Sequence, residues 1–417
     1  MLHSRCRFIN SWALESVKWS PVVGIFGLRQ VGKTTLVKKL TTDKNGYYET
    51  FDKDAILEAS RQTPELFCTR PGLLCLDEVQ RAPWIFPVIK DIVGIKRQPG
   101  RFLLTGSVRF TLKKEISESL TGRIILHELL PFNLSEAHEL KSSTVIQDLF
   151  NHVTRDETST KLRKYFETKK PRITARQISH HMSTGGMPIP CFTRDEAKRD
   201  LWYQGYYETL IGRDLALVDT SLANMPYRQG ISFLRQLARM QGQEVQYSAL
   251  SSGSGLSLAK AKKVLQALLA LSLIDLIPPE AAAQKAGKKM RIEWKDIGLW
   301  NYLAAVPRHL LEHDVTAMGV MIAQELRTQL SQINKMVLWS SYKNRDGAMI
   351  PWILCQGKTT LALTYVPTEA PRPYDYRALK QFVEKQEQGF GLVIGAEKAP
   401  ILPLSEKIWL VPYTWLM

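Results

Sequence analysis

The chain has 417 residues, 44% of them hydrophobic, enough for more than one buried core, and ordinary domain sizes point to two or three domains. Lys and Arg total 56 against 40 for Asp and Glu, and the formal charge of +16 biases the surface toward polyanions; because the basic residues are spread along the whole chain, a merely solvated surface explains them equally well. Five widely spaced cysteines make no disulfide framework and no apolar stretch reaches the roughly 20 residues that cross a bilayer, so secretion and membrane insertion are set aside and a reducing cytoplasm is the expected location.

The first predicted element is a short buried strand, Val22 to Phe26, followed after a loop by an amphipathic helix that starts at Thr34. Between them lie Gly27, Leu28, Arg29, Gln30, Val31, Gly32, Lys33, Thr34 and Thr35, which match the pattern of a phosphate-binding loop. In such a loop the glycines let backbone N–H groups turn toward phosphate oxygens, and the helix N-terminus adds its partial positive charge. Lys33 is expected to reach the β- and γ-phosphates of ATP and the Thr34 hydroxyl to bind Mg²⁺. Arg29 is expected to line the nucleotide mouth.

The next informative stretch is "GLLCLDEVQRAP". Four apolar residues, Leu73 to Leu76, end in Asp77 and Glu78, which sets both carboxylates at the C-terminal tip of a buried parallel strand. Asp77 is expected to complete the Mg²⁺ shell, and Glu78 to orient and deprotonate a water for attack on the γ-phosphoryl group. A third strand, in "GRFLLTGSVRF", ends in Thr105, Gly106 and Ser107, and its hydroxyls would lie beside the acidic tip if the two strands are neighbours. Loop, acidic strand and polar-ended strand, in that order, are the pattern of AAA-type ATPases, where the polar residue, here Thr105 or Ser107, reports the state of the γ-phosphate.

"GLRQVGKTTL", "LLCLDEVQRAP", "FLLTGSVRF", "SLTGRIILHELLPFNLSE", "GGMPIP" and "YYETLIGRDL" occur in one order. In this the chain resembles, over about residues 15 to 365, a family of prokaryotic AAA-type P-loop ATPases whose C-terminal half is a domain of unknown function. The resemblance implies an α/β fold: an AAA-type parallel sheet, then a helical and winged-helix domain, then a small α/β domain like that of restriction endonucleases. The segments expected are 1–135 for the ATPase core, 136–185 for a helical linker or lid, 186–300 for the helical and winged-helix domain, and 301–417 for the nuclease-like domain. It also singles out Arg123 and Arg213. Either could set a guanidinium against the γ-phosphate, in its own subunit or in a neighbouring one of a homo-oligomer, and an ordinary ion pair, such as Arg213 with Asp214 or Glu208, is the competing reading.

Beyond Phe132 the chain turns polar, and "SSTVIQD" and "TRDETSTK" read as surface connections, with "STGGMPIP" as a rigid turn. From Gln241 to Pro279 the pattern is helix, Gly/Ser turn and longer helix, with Ser257 as N-cap and Val264, Leu265, Leu268 and Leu269 on an apolar face. Two wing strands are expected at Ile274–Ile277 and Met290–Trp294. Such a winged helix can set Lys260, Lys262 and Lys263 against DNA, with Lys285, Lys288 and Lys289 on the adjacent backbone, or can dock on a protein partner. In the last domain "GAMIPWIL" has Met349 and Pro351 where the family's nuclease-like strand carries acidic residues, and Thr364 and Val366 replace a second glutamate and a lysine. With no carboxylate cluster to hold Mg²⁺, that domain is expected to be catalytically inactive, and Asp346 and Glu325 to be surface or capping groups. "HLLEH", His309 to His313, resembles a zinc-protease pattern but is expected to be an amphipathic helix without zinc.

The function expected is Mg²⁺-dependent ATP binding and hydrolysis coupled to conformational change, acting on or near DNA or a protein. The alternative is a nucleotide-gated scaffold with negligible turnover. A small-molecule kinase is disfavoured by Glu78 and by the large second half.

Overall fold

The structure is a computed structural model that describes residues 5–108, 120–154, 159–280, 289–333, 335–344 and 346–417. The chain forms two compact units with boundaries other than the four segments expected. Unit 1 gathers Met1–Pro131 with two later segments, Gly212–Asn224 and Lys263–Leu273; unit 2 holds Phe132–Ile211, Met225–Lys262 and Ile274–Met417.

Unit 1 is built on a parallel sheet of β1 (Val22–Phe26), β2 (Tyr47–Thr50), β3 (Leu74–Asp77), β4 (Phe102–Gly106) and β5 (Ile124–Glu128), in the order β2-β3-β4-β1-β5. Strands β1, β3 and β4 are fully apolar except at their C-terminal ends, as a sheet covered on both faces requires. One face packs Val22, Leu74, Leu76, Phe102 and Leu104 against Phe51, Phe67, Phe86 and Ile89. The register pairs Phe26 with Gly106, Leu76 with Leu104, and Thr50 with Asp77, so every polar strand end emerges along one edge of the sheet. This is the edge at which open α/β sheets bind ligands.

Unit 2 centres on the helix Val315–Ser331, whose Asp314 N-cap accepts the Ala317 amide at 2.7 Å. Its apolar residues, among them Met318, Met321, Ile322 and Leu326, are fully buried. Its buried polar side chains take over backbone groups that would otherwise lack partners: Glu325 accepts from the Leu134 amide at 2.8 Å, Gln324 donates to the Phe132 carbonyl at 3.0 Å, and Gln329 accepts from the Ile146 amide at 3.2 Å. Arg327 on the same helix reaches Asp275 at 3.0 Å, and Lys295 reaches it at 3.2 Å. Asp275 lies on β6 (Ile274–Ile277) and Lys295 directly follows its antiparallel partner β7 (Arg291–Trp294), which explains why segments expected as two domains share one body.

A second sheet in unit 2 runs β12-β13-β11-β10-β9-β8, with β8 (Leu338–Lys343), β9 (Met349–Gln356) and β10 (Thr359–Tyr365) antiparallel. Strands β10, β11 (Gln388–Gly395) and β13 (Ile408–Pro412) are parallel, and β12 (Leu402–Ser405) closes the edge. The turn "GGMPIP" is held by close approach, since a Cβ on Gly186 would stand 2.2 Å from the Phe132 carbonyl oxygen.

Two expectations need correction and a third is narrowed. "SSTVIQD" is not a surface connection: Val145–Thr154 is a helix with Val145, Ile146, Leu149 and Phe150 buried, an apolar stripe at helical spacing amid polar residues. The "HLLEH" histidines are not on an α-helix, because Arg308–Leu310 is a 3₁₀ turn and the chain then turns again before Val315. Glu325 is a capping group but not a surface one, being 1% exposed.

Burial pushes the Glu325 carboxyl up from an ordinary 4.5 to about 8, and Asp296, also buried, rises to about 6. Below pH 4.5 Glu325 is neutral in folded and unfolded chains alike; as pH rises toward 8 the unfolded chain ionises first, and stability is lost across that window. Glu325→Gln removes this loss. Its urea midpoint should exceed that of the parent at pH 8, and the gap should close toward pH 5. A gap that stays constant with pH would trace the effect to packing instead.

Candidate nucleotide site

The loop after β1 adopts its shape through two glycines. Gly27 has φ +151° and runs so close to the Leu129 carbonyl that a Cβ would stand 2.3 Å from its oxygen, and Gly32, at φ +103°, caps the helix Lys33–Asp43 in left-handed geometry. Arg7 braces the loop from behind, donating to the carbonyls of Val31 at 3.2 Å and of Leu130. Lys33 is 4% exposed, and its ammonium donates to the loop's own carbonyls, Gly27 at 3.0 Å and Leu28 at 2.8 Å. Burial lowers its pKa, and the nearby carboxylates of Glu78 and Asp77 oppose that shift. Gln30 at φ +60° and Thr35 are exposed, while Leu28 and Val31 are buried beneath the loop.

The loop and the acidic tip converge on Asp77. The Thr34 hydroxyl donates to Asp77 Oδ2 at 2.7 Å and the Tyr48 hydroxyl, from β2, donates to the same oxygen at 2.8 Å. On the other oxygen, Asp77 Oδ1 accepts from the Thr105 hydroxyl and, at 3.1 Å, from the Glu78 amide. Because β4 lies between β1 and β3 in the sheet, the Thr105 end falls between the loop and the acidic strand.

Glu78 leaves β3 in a left-handed conformation, φ +57° and ψ +41°, uncommon for a residue with a side chain. Its carboxylate accepts from the Gln80 side-chain amide and from the Ser107 hydroxyl at 3.3 Å. The two polar residues at the end of β4 therefore each hold one carboxylate.

Among the two arginines drawn from the resemblance, Arg123 is placed away from the loop of its own chain. It precedes Ile124, which pairs with Val22 at the start of β1, whereas the loop follows Phe26, paired with Glu128. Four strand residues separate those ends, about 13 Å at the usual rise, and Arg123 donates within its own turn to the Thr121 carbonyl at 3.4 Å. A role on its own chain's γ-phosphate is thereby corrected. Arg213 is exposed; Asp214, one of the two partners considered for it, pairs with Arg29 at 2.6 Å, while Arg213 acts on it through charge alone. Asp214 sits at the end of a π-helical turn, Leu210–Asp214, with its side chain 5% exposed; burial raises its pKa and Arg29 pulls it back down. Arg29 thus stands at the loop with a buried carboxylate of unit 1 as its partner.

Tyr48, Gln80 and Arg7 were not singled out from the sequence, and Asp214 was considered only as a partner for Arg213. Only "IGRDL", matched as a motif, carried a signal for Asp214; the other three are ordinary residue types without a spacing rule.

The lysines proposed for DNA lie on the helix Leu258–Ala270, where the Ser257 hydroxyl accepts the Lys260 amide at 3.3 Å. Lys262 lies over the Tyr247 ring, 5.6 Å from its centroid, and Lys263 pairs with Asp219 at 3.4 Å and donates to the Ser221 hydroxyl at 2.7 Å. Lys285 and Lys288 fall outside the described residues.

Comparison with known proteins bears on both halves. Residues 20–138 match the model of an AAA domain, and residues 175–310 match a domain of unknown function. An uncharacterized protein of Mycobacterium tuberculosis and one of Mycobacterium bovis are each 28% identical over 337 residues, covering 78% of this chain. The aligned part spans 66% of the length of those relatives. Among solved structures, the Walker-type ATPase PABY2304 of Pyrococcus abyssi aligns over 72% of this chain and 95% of its own at 13% identity, with a TM-score of 0.39. AMPPCP-bound DnaA from Aquifex aeolicus aligns over 63% of this chain and 86% of its own at 15% identity, with a TM-score of 0.25. The loop, the parallel sheet and the match to an AAA domain fall on the same stretch of chain, residues 20–138.

Proposed function

We propose that the protein binds ATP with Mg²⁺ and hydrolyses it, and that turnover drives a conformational change acting on a DNA or protein partner. One observation carries the reading: the loop hydroxyl of Thr34 and the strand-end carboxylate of Asp77 meet at 2.7 Å, with Glu78 next in the chain. The donor set fits the cation, since a hydroxyl and a carboxylate are the hard oxygen ligands Mg²⁺ prefers. Thr34 and Asp77 would hold it, and when bound it would neutralise charge developing on the phosphate oxygens. The glycine loop fits the nucleotide, since backbone amides of the loop and of the helix start would serve phosphate oxygens and Lys33 would supply a positive charge.

The remaining chemistry belongs to this chain's own side chains. Glu78 takes the proton from an attacking water; Gln80 and Ser107 hold its carboxylate, and the left-handed turn fixes its direction. Thr105 and Ser107, each bonded to one of the two carboxylates, would register whether a γ-phosphate stands before them. Arg29 lines the mouth and must leave or share Asp214 to reach a phosphate. Arg123 is left for a neighbouring copy in a homo-oligomer.

In unit 2 the nuclease-like reading of the second sheet is kept as an inactive one, supported by Met349 and Pro351 on β9 and Thr364 on β10. Contact with DNA rests on Lys260 and Lys262 more than on Lys263, whose charge Asp219 already answers.

Glu78→Gln should retain ATP affinity while kcat falls roughly 10²- to 10⁴-fold, the range for loss of a general base, read by steady-state phosphate release. Normal turnover would remove Glu78 from that role, and negligible turnover by the parent, with or without duplex DNA, would favour the scaffold reading. Tyr48→Phe strips one donor from Asp77. The Mg²⁺ concentration for half-maximal hydrolysis should rise about tenfold or more, with a smaller change in kcat at saturating Mg²⁺. Reversing Lys260 and Lys262 to Glu should weaken duplex binding and flatten its dependence on salt, measured by fluorescence anisotropy.

A further inference from the structure

The Arg29–Asp214 pair joins two parts of unit 1 that are far apart in sequence, the phosphate-binding loop and the segment Gly212–Asn224. Among the described residues it is the one hydrogen bond or ion pair between that segment and Met1–Pro131. The segment is otherwise lightly held. It consists of the end of a π-helical turn, the four-residue helix Leu215–Val218 and the 3₁₀ turn Thr220–Leu222, and only Asp214, Leu215 and Leu222 in it are buried. Elements with so few buried contacts open readily, and π-helical turns occur mostly where function needs them. At its far end Asp219 pairs with Lys263 at 3.4 Å and the Ser221 hydroxyl accepts from Lys263 at 2.7 Å. Both ends of the segment continue along the chain into unit 2.

The pair acts on groups that would face a γ-phosphate. Burial lowers the Lys33 pKa, and the charges of Arg29 and Asp214 are among those that modify it. Burial likewise raises the Asp214 pKa; Arg29 and Arg213 pull it down, and the Glu78 carboxylate adds to the rise. A triphosphate in the loop offers Arg29 several oxygens and more negative charge than one carboxylate, and a planar guanidinium grips phosphate and carboxylate in the same two-pronged way. Asp214 would then lose its cation while its side chain is 5% exposed. A buried carboxylate stripped of its partner is strongly unfavourable. Moving the lightly held segment returns that carboxylate to water.

On the reading that the loop binds ATP, we propose that the Arg29–Asp214 pair is a nucleotide-operated latch: a triphosphate takes Arg29 from Asp214, and Gly212–Asn224 loosens together with its hold on Lys263.

Hydrogen–deuterium exchange of the full chain, with and without saturating Mg²⁺ and the ATP analogue AMPPCP, reads both sides of the latch. Amides of Gly32 to Thr35 should slow, while those of Leu215 to Leu222 should quicken about fivefold or more. A slowed loop beside an unchanged or slowed segment would overturn the latch and leave nucleotide binding standing; a loop whose exchange ignores AMPPCP would overturn both. Coupling is reciprocal, so loosening the segment by mutation tightens the nucleotide. Asp214→Asn should therefore bind AMPPCP about fivefold or more tightly by isothermal titration, and its Leu215 to Leu222 amides should exchange as fast without nucleotide as with it. If Asp214 served packing alone, the variant would loosen the segment with no gain in affinity. Affinity at or below that of the parent, or a segment that still responds to AMPPCP in the variant, would overturn the assignment.

Discussion

Asp77 is the point on which unit 1 depends. Its carboxylate is only 2% exposed and accepts from the first turn of the loop helix, from β2, from β4 and from the next backbone amide. A buried carboxylate is tolerated when its lone pairs are filled by donors, and here the donors come from separate elements of the sheet. The same bonds that satisfy the charge therefore hold the loop, the acidic strand and the polar strand end in mutual register. The parallel pairing supplies the coarse alignment and the hydroxyls set the fine one. A metal entering this site would compete with hydroxyl donors already in place, so binding and local rearrangement are one event.

Unit 2 solves a related problem in the opposite way. Its central helix is almost wholly buried, and three of its polar side chains serve backbone amides or carbonyls of segments far away in sequence. Glu325 does this as a neutral acid at moderate pH, since burial without a cation raises its pKa. The arrangement specifies which segments dock on the helix, because an apolar side chain at any of these positions would leave a buried amide or carbonyl without a partner.

The loop, Asp77 and Glu78 were legible because their chemistry imposes local spacing: glycines for the turn, a lysine and hydroxyl at the helix start, acids after an apolar strand. The two strands expected at Ile274–Ile277 and Met290–Trp294 were legible from their apolar runs, and β6 and β7 pair antiparallel there, β7 starting one residue later. Tyr48, Gln80 and the pairing of Asp214 with Arg29 were not, since each acts through a partner brought near by the fold, and nothing in the tyrosine of "YYET" announces that its hydroxyl meets Asp77. The own-chain half of the Arg123 reading met a related obstacle. A motif match names a residue type, whereas the direction of β5 decides which end of the sheet receives it. "SSTVIQD" was misread because its opening serines and threonine resemble a turn, although Val145 and Ile146 begin a buried stripe.

Unit 1 is assembled from three stretches of chain rather than one. A single cut after Pro131 would sever the nucleotide loop from Asp214 and deprive the Arg29 guanidinium of its counter-charge. An isolated N-terminal fragment would therefore present a more electropositive mouth than the intact protein. Any nucleotide preference measured on it would not be a faithful proxy for the whole chain.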